Sequence, residues 1–220
     1  MKTFIINYKA YKEGIDRGIE IAMAAKEAGE EFGVGIIVAV PFTLCRGAAK
    51  ITRAISQGIS PVEPGPATGQ VSWYEVLKSG CVGSLINHSE NRMAMGDIEK
   101  AVSLCRKNGL LSYVCVADMD EARRVASFGP AAIAYESKEL IGAAMKEGGK
   151  SVAAAKGDVV KGFVELVHSN SKSLALIGAG IKDASDVAKS MELGSDGIIV
   201  SSVIMKGDFK RKIKELAGAL

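Results

Sequence analysis

The stretch from Ile98 to Tyr135, IEKAVSLCRKNGLLSYVCVADMDEARRVASFGPAAIAY, holds one structural unit written twice. From Ile98 to Lys107 the apolar residues recur at intervals of three and four, with charges on the other side, which is the pattern of a helix buried along one stripe. Asn108-Gly109 supplies the left-handed stop that helices commonly end on. Leu111 to Val116 is too short for a helix and apolar on both faces, as a buried parallel strand is. Ala122 to Phe128, Phe128-Gly129 and Ala131 to Tyr135 then repeat helix, glycine and strand.

Outward from this stretch the unit recurs. Phe4 to Ile6, Val34 to Val40, Val82 to Ile86, Leu174 to Ile177 and Ile198 to Val200 read as further buried strands. Ile55 to Ser60 is diluted by Gln57 and Gly58 and ended by Pro61, and its place in the series makes it the eighth strand. Ile15 to Phe32, Val152 to Val167 and Ala184 to Leu193 have helical periodicity, the last ending at Leu193-Gly194. The 220 residues allow about 27 for each of eight strand-helix units, enough for a short strand, a short helix and two loops. An α/β fold results, a single-domain (β/α)8 barrel spanning residues 1–220 with short helices, near the lower size limit of such barrels. An open doubly wound sheet would want a glycine-rich phosphate loop after its first strand, where this chain has Asn7-Tyr8-Lys9-Ala10-Tyr11-Lys12.

Composition narrows the function classes. With 48% hydrophobic and 24% charged residues the chain has a full core. A formal charge of +3 gives no surface suited to nucleic acid or anionic lipid. No run reaches the roughly 18 apolar residues of a membrane span, and the N-terminal apolar run is too short for a secretory signal, so a cytoplasmic protein without nucleic-acid or membrane partners is expected. Cys45, Cys81, Cys105 and Cys115 lack metal-binding spacing and read as buried, reduced thiols. The two histidines, His88 and His168, lie far apart without flanking ligands, so no metal is expected.

Barrel active sites are assembled at the C-terminal ends of the strands. In order, those ends carry Asn7 and Lys9, His88 and Glu90, Glu136, Gly178-Ala179-Gly180, and Ser201-Ser202. A carboxylate, an imidazole, an ammonium group and two turns of small residues suit proton transfer beside a carbonyl on a small phosphorylated substrate. Taken singly, each has a plainer reading: Glu136 as a solvated loop carboxylate, His88 as a helix cap, Lys9 as a rim lysine, Gly178 and Gly180 as a tight turn, Ser201-Ser202 as the cap of a short helix.

Several segments together resemble the triosephosphate isomerase family in order and spacing. They are Phe4 to Lys9, Pro61 to Gly65 running to Thr68-Gly69, Asn87-His88-Ser89-Glu90-Asn91-Arg92, Tyr135-Glu136 with Glu139 to Gly142, Gly178 to Ile181, and Gly194 to Gly197. The likeness covers the whole chain, and its brevity is similar to the compact archaeal branch of that family.

The resemblance implies a TIM barrel that interconverts dihydroxyacetone phosphate and glyceraldehyde 3-phosphate through an enediol(ate), in glycolysis and gluconeogenesis, without a cofactor. It implies Glu136 as base, His88 as a neutral electrophile and Lys9 as the cation, with Asn7 beside it and Glu90 in support. The phosphate would rest on Gly142, Gly178, Gly180, Ser201 and Ser202. It further implies a homo-oligomer, dimer or tetramer, in which Thr68 on the loop Pro64 to Gln70 reaches a second copy. The segment beginning Glu136 to Gly142 acts as a lid in the family. Here Ser137 replaces a common proline, Ala143-Ala144 replaces Thr-Gly, and Met145 to Ser151 is longer than expected. Those departures motivate one alternative, a catalytically weakened relative that keeps only phosphorylated-ligand binding.

Overall fold

A computed structural model of the chain describes residues 2–136, 157–178 and 180–220. Its strands are β1 (Thr3–Asn7), β2 (Gly35–Val40), β3 (Ala54–Ser56), β4 (Gly83–Ile86), β5 (Leu111–Val116), β6 (Ala132–Tyr135), β7 (Leu174–Ile177) and β8 (Gly197–Val200). Each pairs in parallel with the next, and β8 pairs with β1, so the sheet closes into a (β/α)8 barrel. The strand runs expected from sequence agree to within a residue at most ends.

The third strand is the correction: it begins at Ala54, ends at Ser56 and meets β4 through a single register pair, Ser56 with Ser84. Gln57 ends the ladder because its side chain bonds across the barrel mouth. The amide nitrogen donates to Asn7 Oδ1 at 3.2 Å, to the Lys9 carbonyl at 3.0 Å and to the Ala39 carbonyl at 3.2 Å.

Within the strands the two-residue period separates two cores. Ile5, Ile37, Ile55, Leu85, Cys115, Ala134, Leu176 and Ile199 fill the barrel, while their neighbours Phe4, Ile6, Val38, Ile86, Val114 and Val200 pack beneath the helices. Apolar runs without polar alternation are the consequence, because both faces are buried.

The helices that cover the outer core are α1 (Lys12–Asp16), α2 (Gly18–Phe32), α3 (Cys45–Ala49), α4 (Trp73–Lys78), α5 (Met95–Lys107), α6 (Met119–Phe128), α7 (Gly157–Asn170), α8 (Ala184–Glu192), α9 (Ser202–Met205) and α10 (Phe209–Ala217). The helix expected over Ile15 to Phe32 is broken at Arg17, whose φ of −113° leaves helical geometry. Tyr8 lies against the break and donates its hydroxyl hydrogen to the Gly18 carbonyl at 2.9 Å. A Cβ on Gly18 would sit 2.7 Å from Leu44 Cδ1 and 3.2 Å from Tyr8 Cε2, so a larger residue at the start of α2 would make the Leu44 side chain shift.

The helix expected from Val152 is described from Gly157, residues 152–156 lying outside the described residues, and it runs on to Asn170, whose amide donates to the Leu166 carbonyl at 2.7 Å. Helices α3, α4 and α10 were not anticipated. Two of the three are six residues or shorter, too short for periodicity to register.

Gly109, Gly129 and Gly194 have φ of 70°, 66° and 90°, the left-handed stops expected of them. All four cysteines are buried and free. Burial pushes the Cys105 thiol up to about 12.

Candidate active site

Strand parity explains which side chains reach the mouth. Ala132 and Ala134 of β6 face the barrel interior, so Glu136, two further on, rises on the same face. Ile5 does the same for Asn7, Leu176 for Gly178 and Ile199 for Ser201. These residues line one pocket of about 440 Å³ at the C-terminal ends of the strands. Lys9, His88, Glu90, Gly180 and Ser202 line it too.

Glu136 is 5% exposed, and its Oε2 has no hydrogen-bond partner among the described residues. That oxygen lies 3.4 Å from His88 Nε2. A buried carboxylate oxygen with an open lone pair is normally avoided, and its presence in a pocket marks a group left free to react. The backbone N–H of Glu90 donates to His88 Nδ1 at 3.2 Å. A ring that accepts at Nδ1 carries its proton on Nε2, the nitrogen nearer Glu136, which lies close to Oε2 without hydrogen-bond geometry to it.

Lys9 has a positive φ of 48°. Its backbone N–H donates to Asn7 Oδ1 at 3.0 Å, and its ammonium group donates to Glu90 Oε1 at 2.7 Å. Gln57 fixes both Asn7 and the Lys9 carbonyl from the side, a role that sequence reading missed. The available signal was the polar amide that weakens the third strand run.

Gly178 presses on the carboxylate: a Cβ there would stand 2.8 Å from Glu136 Cγ and 2.5 Å from Ile199 Cγ2. Gly180 has φ of 76° and turns the chain after β7. Ser201 and Ser202 turn it from β8 into α9, and Ser201 Oγ is buried without a partner among the described residues. Tyr11, Lys182 and Lys206 also line the pocket unanticipated, with Lys206 Nζ 5.4 Å from the Tyr11 ring centre.

Of the expected site residues that are described, only Thr68 does not line this pocket, as its assignment to a second copy implies. Gly142, with the lid positions Ser137 and Ala143-Ala144, lies outside the described residues, as does Ala179. Thr68 is exposed on the loop after β3 and does not line the pocket of its own chain. That loop is tied at its base by Trp73 Nε1, which donates to Glu63 Oε2 at 2.8 Å.

No group of three or more histidine, cysteine, aspartate or glutamate side chains that could hold a metal occurs among the described residues. His168, on α7, pairs instead with Asp196 at 2.7 Å. No helix among the described residues is long and apolar enough to cross a membrane.

A solved triosephosphate isomerase from Bartonella henselae superposes with a TM-score of 0.74, covering 99% of this chain and 97% of that one, at 18% identity. That likeness speaks to the barrel. Closer in sequence are curated triosephosphate isomerases, mostly archaeal. The Caldivirga maquilingensis protein is 38% identical over 99% of this chain and 97% of its own length. The Methanocaldococcus jannaschii protein is 37% identical over 96% and 97%, and the Methanopyrus kandleri protein 36% identical over 98% and 96%. The sequence model described as triosephosphate isomerase matches residues 2–216. On these grounds the chain belongs to the triosephosphate isomerase family.

Proposed function

We propose that this protein is a triose-phosphate isomerase, an intramolecular aldose-ketose isomerase that interconverts dihydroxyacetone phosphate and D-glyceraldehyde 3-phosphate. The observation that carries this reading is Glu136 Oε2, without a hydrogen-bond partner among the described residues, lying 3.4 Å from His88 Nε2 in one pocket with Lys9. Glu136 removes a proton from the hydroxymethyl carbon of the ketose. The electron pair of the broken C–H bond forms a carbon-carbon double bond while the carbonyl π pair moves onto the oxygen, giving an enediol(ate). Glu136 returns the proton to the neighbouring carbon, and a second proton passes between the two oxygens. Hydrogen is only redistributed within the substrate, so the reaction calls for no external oxidant, reductant or cofactor.

His88 donates from Nε2 to the oxygens that gain charge, and the Glu90 N–H at Nδ1 keeps the ring in that tautomer. The Lys9 ammonium group balances the charge of substrate and phosphate, with Asn7 alongside. Backbone N–H groups at Gly142, Gly180, Ser201 and Ser202 are assigned to the phosphate dianion; the Gly178 N–H, expected to join them, donates instead to the Tyr135 carbonyl at 3.0 Å, and Gly178 serves by leaving room beside Glu136. Residues 1–220 act as one barrel unit. The protein works in the cytoplasm, in glycolysis and gluconeogenesis, as a homo-oligomer, dimer or tetramer. In it Thr68 approaches the partner subunit's Asn7 and the partner subunit's Lys9. Supporting the assembly are the exposed loop that carries Thr68 and the exposed apolar side chains Met23, Phe42, Tyr74 and Leu77.

A coupled assay of the purified protein beside Glu136→Gln tests the reading. Removal of the base is expected to lower kcat by about 10²- to 10⁴-fold. Equal rates would exclude the assigned base, and a parent protein that binds triose phosphate without turning it over would favour the weakened relative.

A further inference from the structure

His88 reaches the mouth against the parity of its own strand. On β4, Leu85 faces the barrel interior and Ile86 faces the helices. Continuing that period sends Asn87 into the mouth and His88 away from it. The reverse is found: His88 lines the pocket and Asn87 does not. The inversion occurs at Asn87, which has φ of 60° and is, with Lys9, one of two non-glycine residues of positive φ among the described residues. L-residues disfavour this conformation, asparagine less than most, and it persists where the surroundings over-determine it.

Those surroundings converge on Glu121. The Asn87 amide nitrogen donates to the Cys115 carbonyl and to Glu121 Oε1, both at 2.9 Å. Its amide oxygen accepts the Met93 N–H at 2.9 Å, and its carbonyl accepts Arg92 Nη1 at 3.3 Å. Glu121 Oε1 also pairs with Arg92 Nη2, and Glu121 Oε2 accepts the Ala117 N–H at 2.7 Å. The carboxylate, on α6 and outside the pocket, therefore holds Asn87 directly and again through Arg92. Its side chain is only 10% exposed, so water competes weakly for these bonds.

We propose that Glu121 is a positioning residue for His88: it clamps Asn87 in the left-handed turn that swings the imidazole into the mouth. Glu121 does not meet the substrate. The inference rests on the reading of His88 as the hydrogen-bond donor of the isomerase site, and a displacement of about 1 Å in such a group lowers turnover by about 100-fold.

The test is steady-state kinetics on the full chain together with ¹⁵N NMR of the histidine rings, for Glu121→Gln, Asn87→Gly, Asn87→Ala and the double variant Asn87→Gly with Glu121→Gln. Glutamine keeps the size but replaces one acceptor oxygen by a donor, which breaks one arm of the clamp. Expected are a fall in kcat of roughly tenfold or more, KM within about threefold, and moved His88 ring resonances with those of His168 unchanged. Glycine takes positive φ without a clamp. Asn87→Gly should therefore keep more activity than Asn87→Ala and should render the added Glu121→Gln change nearly silent.

A folded Glu121→Gln protein with parental kcat and unmoved His88 resonances overturns the proposal. So does an undiminished Glu121→Gln loss in the Asn87→Gly background. If Glu121→Gln does not fold, equal activity of Asn87→Gly and Asn87→Ala overturns it instead. A parent chain without isomerase activity would sink the proposed function, and the His88 resonances would still decide this one.

Discussion

Lys9 and Glu90 form a 2.7 Å ion pair that joins the turn after β1 to the turn after β4 across the mouth of the barrel. The Glu90 side chain is 59% exposed, so the pair adds little to stability. What it does is geometric. The side chain of Glu90 holds the ammonium group while its backbone N–H holds His88 Nδ1, so one residue sets the spacing of two groups assigned to the substrate.

Glu90→Gln removes the charge and keeps the backbone N–H. The thermal midpoint should stay within about 2 °C of the parent, as befits an exposed pair. By contrast kcat/KM should fall by about tenfold, the loss expected of a charge-assisted hydrogen bond. Kinetics beside a melting curve separate the two, and an unchanged kcat/KM would remove Glu90 from the site.

Gly178→Ala places a methyl group 2.8 Å from Glu136 Cγ and 2.5 Å from Ile199 Cγ2. Both neighbours are buried, so Glu136 has to move. Overpacking of this kind destabilises by about 1–3 kcal/mol, and misplacing the base should lower kcat by about 10- to 100-fold. A crystal structure of the variant with Glu136 unmoved would contradict the contact.

Asp183 caps α8, its carboxylate accepting the Ser185 and Asp186 N–H groups at 2.9 and 3.1 Å. The Ser185 hydroxyl first, and then the Asp186 N–H, hold its carboxyl below the usual carboxylate range. Asp183→Ala should cost about 1 kcal/mol, a fall of about 2–4 °C in Tm. Because the folded pKa is depressed, the contribution is present above the ordinary carboxylate pKa and disappears as pH falls through the lower, folded one. The gap in Tm between parent and variant should therefore close in strong acid, which melting curves from pH 7 down to 2 will show.

Burial holds the Cys105 proton up to about 12, whereas an unfolded thiol releases it near the ordinary cysteine range. The raised pKa means that stability is complete below about pH 9 and is lost as pH climbs toward 12, by at most about 1.4 kcal/mol per pH unit for this thiol. Cys105→Ala should lower stability at neutral pH by leaving a small cavity and should flatten the alkaline decline by up to one proton. Denaturant titrations between pH 8 and 11 measure both, and an unaltered alkaline slope would assign the effect to other groups.

The helix, glycine and strand unit, clearest from Ile98 to Tyr135 and recurring to make eight strands from Phe4 to Val200, let a parallel barrel be read, since burial on both faces makes strands continuous apolar runs and helices amphipathic stripes, each a property of a short window. The residue types of the mouth were legible for the same reason: Glu136 follows Ala132 and Ala134 on the inward face, and Asn7 follows Ile5. Gln57 was not, because the amide that spoils a strand pattern is spent on Asn7 and Ala39, 50 and 18 residues away. Nor was the route by which His88 arrives. A two-residue period carried past Ile86 points the ring the wrong way, and only the left-handed Asn87, held by Glu121 34 residues further on, turns it back. Periodicity follows from local burial and can be read along the chain. The sign of one φ and the partners of one carboxylate follow from which strand ends lie side by side, and that is settled only when the barrel closes.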